Sequence, residues 1–194
     1  MGAHRGPLLA VFAALTLGAC ATSPYRESVD AWTRKSSAYD QFDVTTLVTA
    51  TLGVEPFRKA YADEYARLFA LTPEQKVSLQ ETLGEEDRRA LVVIVAFYTA
   101  QTAWNDLNPA RGIWEVRLES PRGDTAQPYS VTRIDKRNPT WKALFPYLEA
   151  HDTLYELRFE RNLPDGRPLA RSGEDLELVI AGAPARTRLR WTIP

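Results

Sequence analysis

The chain has 194 residues, with 24 lysines and arginines against 25 aspartates and glutamates, a formal net charge of −1, and 44% apolar residues. That near balance argues against general nucleic-acid binding, which needs a basic footprint. The apolar share, with five tryptophans and eight tyrosines, is enough for a packed core, and no segment after residue 20 is apolar enough to span a bilayer.

The first segment carries Arg5, then an apolar or small-residue run from Leu8 to Leu17 broken only by Thr16, then Gly18-Ala19-Cys20. The run is shorter than the roughly 20 residues a membrane-spanning helix needs. A basic start, a short apolar stretch and small residues before a cut site describe a secretory signal. Leu17-Gly18-Ala19-Cys20 resembles the lipobox of bacterial lipoproteins. In that family the cysteine thiol receives a diacylglycerol, the chain is cut before it, and the new amine is usually acylated. Cys20 is the only cysteine, so it has no disulfide partner within the chain, and lipidation would remove a lone thiol from an oxidising compartment. The competing readings are an ordinary cleaved signal with a leftover cysteine, and a cytosolic chain with an apolar start. Ala21, not Asp, follows the cysteine; by resemblance to the sorting pattern of Gram-negative lipoproteins, this implies the periplasmic face of the outer membrane. The stretch Ala21 to Pro24, at about 3.3 Å per extended residue, keeps the fold near the lipid. The organisation expected is a signal peptide over 1–19, lipid anchor and tether over 20–35, and a single domain over 36–194 with a helical insertion at 55–84.

Residues 26–35 suit either a short helix or an extended arm. The β-branched run from Asp43 to Leu52 predicts a strand that Gly53 ends. Phe57, Ala60, Tyr61, Tyr65, Leu68 and Phe69 recur at helical spacing, with Arg58, Lys59, Asp63, Glu64 and Arg67 over the remaining surface. Thr72-Pro73-Glu74-Gln75 announces a second helix, since Thr72 can cap it and Gln75 can close a capping box; its end is expected near Leu83-Gly84. Leu91 to Ala100 is continuously apolar and β-branched, as in a central strand buried on both faces. Period-two alternation follows at Trp114 to Glu119, Tyr155 to Glu160, Leu176 to Ile180 and Thr187 to Trp191, more weakly at Tyr129 to Asp135. Trp141 to Phe145 reads as one helical turn or an irregular corner. The fold class expected is therefore mainly β with inserted helices (α+β), a seven-stranded immunoglobulin-like β-sandwich with two helices between its first and second strands. The runner-up is a segregated α+β fold with one curved sheet.

Trp32-Thr-Arg, Pro56-Phe-Arg-Lys-Ala-Tyr61, Phe97-Tyr-Thr99, Trp104-Asn-Asp-Leu107 and Leu144-Phe-Pro-Tyr147 resemble a group of uncharacterised lipoproteins of Gram-negative bacteria. The resemblance implies a location and no chemistry.

The residues offer few groups for catalysis. His151 beside Asp152 lacks a nucleophile, and adjacent strand residues point to opposite faces. One mature histidine cannot supply a zinc site. Glu85-Glu86-Asp87 has no EF-hand spacing and reads as a solvated charged turn. Asp40, Asp43, Asp63 and Glu64 pair only if the fold gathers them. Arg122-Gly123-Asp124 spells an adhesion tripeptide that a hairpin turn explains equally well. Arg186, Arg188 and Arg190 share one strand face and form a candidate row for an anionic glycan or lipid. A cross-strand charge ladder with Glu115, Glu119, Glu156, Glu160 and Glu177 is the favoured explanation of that row. Trp104, Trp114, Trp141 and Trp191 suit a sugar platform or, more simply, the core.

No catalytic residue, metal ligand or cofactor is therefore assigned, and the one firm site residue is Cys20. The expected partners are the membrane, through lipid on Cys20, and an envelope protein or anionic glycan or lipid. The function expected is that of an outer-membrane-anchored, non-enzymatic binding or scaffolding module. The alternatives are a carbohydrate-active or other hydrolase using clustered carboxylates, and an assembly partner of an outer-membrane machine.

Overall fold

The computed structural model describes residues 23–194; Cys20 and the signal segment lie outside them. Ser23 caps a first helix, α1 (Pro24–Trp32), by accepting the Arg26 N–H, and Pro24 occupies the first turn where no N–H is needed. Tyr25 and Val29 of α1 are buried. The chain is thus part of the packed domain from residue 24, and the span 24–35, assigned to the tether from the sequence, is α1 and the start of a strand.

That strand is β1 (Thr33–Asp40), which turns tightly into β2 (Asp43–Gly53). Helices α2 (Glu55–Leu68) and α3 (Pro73–Arg89) follow as an antiparallel hairpin. The Thr72–Gln75 capping box forms as expected. The helix runs past Gly84 because Glu85, Glu86 and Asp87 gain ion pairs there, which outweigh the cost of about 1 kcal/mol for one glycine in a helix. Then come β3 (Ala90–Thr99), a 3-10 turn (Thr102–Trp104), β4 (Trp114–Glu119), β5 (Thr125–Ala126), β6 (Pro128–Ile134), α4 (Pro139–Leu144), β7 (Thr153–Glu160), β8 (Asp175–Gly182) and β9 (Arg186–Thr192).

The described residues form a β-rich α+β fold in two sheets, ordered β1-β2-β3-β7-β6 and β5-β4-β8-β9, with every pairing antiparallel. The strands number nine, not seven. The short β5 and the polar β1 are the additions, and because β1 precedes the expected first strand, the helical hairpin follows the second strand of the chain. β1 reads Thr-Arg-Lys-Ser-Ser-Ala-Tyr-Asp and lies at a sheet edge, where no apolar alternation is required.

One face of the five-stranded sheet meets the four-stranded sheet across a shared core. Val48, Ala50, Leu52, Val93, Val95, Phe97, Leu157 and Phe159 face Trp114, Leu118, Leu178, Leu189 and Trp191 there. Phe97 and Trp114 meet edge to face at 5.3 Å between ring centres. The seam between β1 and β9 is pinned by two side-chain donors: Trp191 Nε1 to the Trp32 carbonyl at 2.8 Å and Arg34 Nε to the Arg190 carbonyl at 2.9 Å. The opposite face of the larger sheet is covered by α1, α2 and α4. No helix among the described residues is long and apolar enough to cross a membrane. Phe97→Ala should cost about 3–5 kcal/mol of stability, because Phe97 is fully enclosed between the sheets; urea unfolding followed by tryptophan fluorescence measures it.

Candidate functional site

The helix-covered face of the larger sheet carries the densest group of interacting side chains. Phe57, Tyr61, Tyr65 and Phe69 follow one another along α2 at intervals of four residues, with ring centres 6.1, 5.9 and 4.4 Å apart. Each such step advances about 40° around the helix, so the row turns from the buried Phe57 to the exposed Phe69. Phe145, at the end of α4, lies 6.2 Å from Phe57, 6.0 Å from Trp141 and 5.9 Å from Tyr147. Tyr25 of α1 lies 6.3 Å from Phe57 and donates its hydroxyl to the Leu144 carbonyl at 2.8 Å. The Tyr147 hydroxyl joins Thr51, which joins Thr33, in a short hydroxyl chain over the sheet. The sequence segments 56–61 and 144–147 therefore meet in one aromatic cluster.

Beneath this cluster is a niche of about 90 Å3 lined by Phe57, Tyr61, Trp141, Phe145, Val92, Ile94 and the polar groups Arg58, Glu86 and Glu156. Its polar wall is an ion lattice. Arg58, only 7% exposed, donates Nε to the Gly53 carbonyl at 2.8 Å and Nη1 to Glu86 at 2.7 Å. Arg158 on β7 bridges Glu86 at 2.6 Å and Glu156 at 2.7 Å, while Arg161 holds Asp87 at 3.0 Å. Arg58 Nε also lies 3.4 Å from Asp87 Oδ1, yet Arg58 Nη2 and Asp87 Oδ1 are buried without a hydrogen-bond partner among the described residues. Gly53 makes room for this arrangement. A Cβ there would stand 3.1 Å from the Val92 carbonyl oxygen and 3.6 Å from Arg58 Nε.

The charged run 85–87 is thus the last part of a helix whose Glu86 and Asp87 clamp α3 to α2 and β7, rather than a solvated turn. Burial beside three guanidinium groups, supplied by residues far apart in sequence, is what local composition could not reveal.

The other sequence-singled residues fall elsewhere. β9 alternates strictly, sending Thr187, Leu189 and Trp191 inward and Arg186, Arg188 and Arg190 outward. Arg188 pairs with Glu119 at 3.2 Å and with Glu177 at 2.5 Å, and Arg190 donates Nε to Glu177 at 2.7 Å. Burial opposes the charge on Glu177, but the bonds from Arg190 and Arg188 outweigh it and hold its carboxyl below the usual range. Arg117 and Arg188 flank the buried Val179 in register, and their aliphatic stems can cover it. Glu156 and Glu160 lie on the other sheet, outside this ladder. His151 is exposed, 3.6 Å from Asp152 and edge-on to Tyr98, while Asp152 accepts the Glu149 N–H and so closes the turn before β7. Arg122 is engaged by Asp124 and Glu174 and by the carbonyls of Pro168 and Leu169. Asp40 and Asp43 face each other across the first hairpin, whereas Asp63 pairs with Lys76 and Glu64 with Arg67 on the helices. Trp114 and Trp191 are core residues, and Trp141 is a niche wall. Among the described residues no group of three or more His, Cys, Asp or Glu is placed to hold a metal ion.

No protein-family profile matches the chain, and no curated protein matches it in sequence.

The buried phenols give the cluster a pH signature. Burial pushes Tyr61 from its ordinary value of 10.0 up to about 12. It raises Tyr25 and Tyr147 as well, the latter partly offset by its bond to Thr51. An unfolded phenol releases its proton near pH 10, while the folded ones keep theirs. The unfolded state therefore binds fewer protons above pH 10, and stability should fall as pH rises from about 10 through 12. Denaturant midpoints measured across that range should drop, and Tyr61→Phe should make the drop shallower. At neutral pH, Arg58→Ala should cost about 1–3 kcal/mol, because it removes one of the two guanidinium partners of Glu86 and of Asp87 and the donor to the Gly53 carbonyl, while Arg158 and Arg161 stay in place; chemical denaturation tests this against the exposed control Arg111→Ala.

Proposed function

We propose that the chain is a lipoprotein of the Gram-negative cell envelope, lipidated at Cys20 and held at the periplasmic face of the outer membrane. There it acts as a non-enzymatic binding or scaffolding module. Its frame is a sandwich of the immunoglobulin-like kind in its layering, with its own strand order. The single observation that carries the reading is the lipobox-like Leu17-Gly18-Ala19-Cys20 standing directly before the fold: Ser23 already caps α1, and Tyr25 is already packed in the aromatic cluster. Three residues separate the cysteine from the first helical residue, a reach of about 10 Å when extended. Two or three acyl chains on Cys20, at about 0.8 kcal/mol per buried methylene, would hold such a domain durably against the lipid.

For the hydrolase alternative, the aromatic niche offers the carboxylates Glu86 and Glu156. Both are bound by arginines, and the niche is well below the roughly 300 Å3 at which small-molecule pockets begin. Paired carboxylates in so small a space favour a structural use.

Cys20→Ser should abolish incorporation of labelled palmitate and release the protein from the membrane fraction, as soluble or unprocessed chain. Equal membrane retention of the variant would refute the anchor.

A further inference from the structure

The β1–β2 hairpin ends in a feature that folding does not require. Five consecutive residues, Tyr39 to Asp43, are exposed. Phe42 is 98% exposed and Tyr39 60%. An aromatic ring held in water at a tight turn gains nothing from the core. Gln41 beside it has φ 54°, a conformation that normally selects glycine in such turns. The pairing register shifts between Ala38 and Tyr39, and the Thr45 hydroxyl donates to the Ala38 carbonyl at 3.0 Å across that irregularity. A bulge of this kind bends and twists a hairpin and so re-aims its tip.

The charge of the tip says what it suits. Asp40 and Asp43 stand opposite each other at its base, and residues 37–45 contain no lysine or arginine. Neither aspartate makes an ion pair among the described residues, in a domain where most charged groups outside the tip are paired. An exposed aromatic between two free carboxylates would be repelled by an anionic bilayer surface. It complements an apolar pocket with a lysine or arginine rim. The position agrees. Tyr25, at the root of the tether, sits over the Thr33–Thr51 end of the sheet, through Phe57 and the Tyr147–Thr51 bond. The tip lies eight residues along β1 from that end, roughly 25 Å at 3.3 Å per residue.

The geometry points to the Tyr39–Asp43 turn as a docking finger for another protein, with Phe42 inserting into an apolar pocket and Asp40 and Asp43 meeting basic groups at its rim. This deepens the binding-module reading by naming its contact surface, and it rests on the lipid anchor only for the direction in which the finger points.

The test places a photo-crosslinking phenylalanine analogue at position 42 of the full chain in cells, with position 77 on α3 as a control. The protein captured only from position 42 is purified and titrated with the mature chain. The expected result is binding that weakens at least about tenfold in Phe42→Ala. The double variant Asp40→Asn, Asp43→Asn should lose most of the salt dependence of association. Both variants should keep the wild-type circular dichroism, since the side chains make no core contact. Adducts to lipid or to a second copy of the chain, capture equal to that at position 77, binding to phosphatidylglycerol vesicles through Phe42, or unchanged affinity in Phe42→Ala would each overturn the proposal. Palmitate labelling of the same strains reads the anchor separately, so failure of the finger and failure of the lipoprotein reading give different results.

Discussion

Every residue of β3 except Tyr98 is buried, and that requirement for cover on both faces of one strand organises the molecule. Its inward side chains, Val93, Val95 and Phe97, are met by the second sheet. Its outward ones, Val92 and Ile94, have no sheet to meet and must be covered by helix. Burial of such side chains contributes about 1.5–3 kcal/mol each, so leaving one face of β3 wet would remove a large part of a typical domain's net stability. The helical hairpin between β2 and β3 supplies the outer layer locally, and α1 and α4 extend it across the neighbouring strands. The aromatic cluster is the packing solution for that outer layer. Large flat side chains from three helices fill the space that a second sheet would have filled with interlocking aliphatics.

Covering a sheet with a charged helical hairpin creates an electrostatic problem at the junction. α3 exposes no fully buried residue to hold it in place, so apolar packing does little to fix its position. The ion lattice does that instead, through Arg58, Glu86, Asp87, Arg158 and Arg161. Charged hydrogen bonds are stronger and more directional than apolar contact, and here they join two helices to a strand and to the segment after it. Among the described residues Arg58 Nη2 and Asp87 Oδ1 have no hydrogen-bond partner, although Asp87 Oδ1 stands 3.4 Å from Arg58 Nε. Gly53 is tied to the same geometry, because a Cβ there would crowd the Val92 carbonyl at 3.1 Å while lying in ordinary contact with the guanidinium.

The sequence carried the parts of this fold that depend on periodicity. The helical face of Phe57, Tyr61, Tyr65 and Phe69, the capped start at Thr72, the apolar run of β3 and the alternating strands after residue 114 all signal themselves within a few residues. β1 could not be seen that way: an edge strand of Thr, Arg, Lys and Ser is specified by its neighbour and not by its own pattern. The end of α3 was hidden for a related reason. Gly84 is a local stop signal, but the partners that carry the helix past it sit at positions 58, 158 and 161. The row Arg186, Arg188, Arg190 was legible as one face of a strand. Which carboxylates meet it depended on strand order, which put Glu119 and Glu177 beside it and sent Glu156 to the other sheet. The aromatic niche was legible only as two separate segments, since nothing local says that residue 145 lies against residue 57.

Arg188 and Arg190 balance Glu177, with Arg188 beside Val179, the aromatic row covers β3 at Val92 and Ile94, and Arg58 seats the hairpin, so each of these has an internal use. The tip of the first hairpin has none. A turn that needed only to reverse direction would put glycine where Gln41 stands and a polar residue where Phe42 stands, gaining stability through the backbone and losing nothing from the core. Exposed aromatic side chains flanked by unpaired charge are the composition of contact centres between proteins, where desolvated aromatic anchors supply most of the binding energy and charges at the rim steer approach. Under the proposed lipid anchor at Cys20, a domain rooted by three residues would tumble little, and a contact group at the far end of its longest hairpin would be held in one zone above the surface. Anchor and finger would then be parts of one geometric device, in which the short tether sets the height of the domain and the length of β1 sets how far beyond it Phe42 is presented.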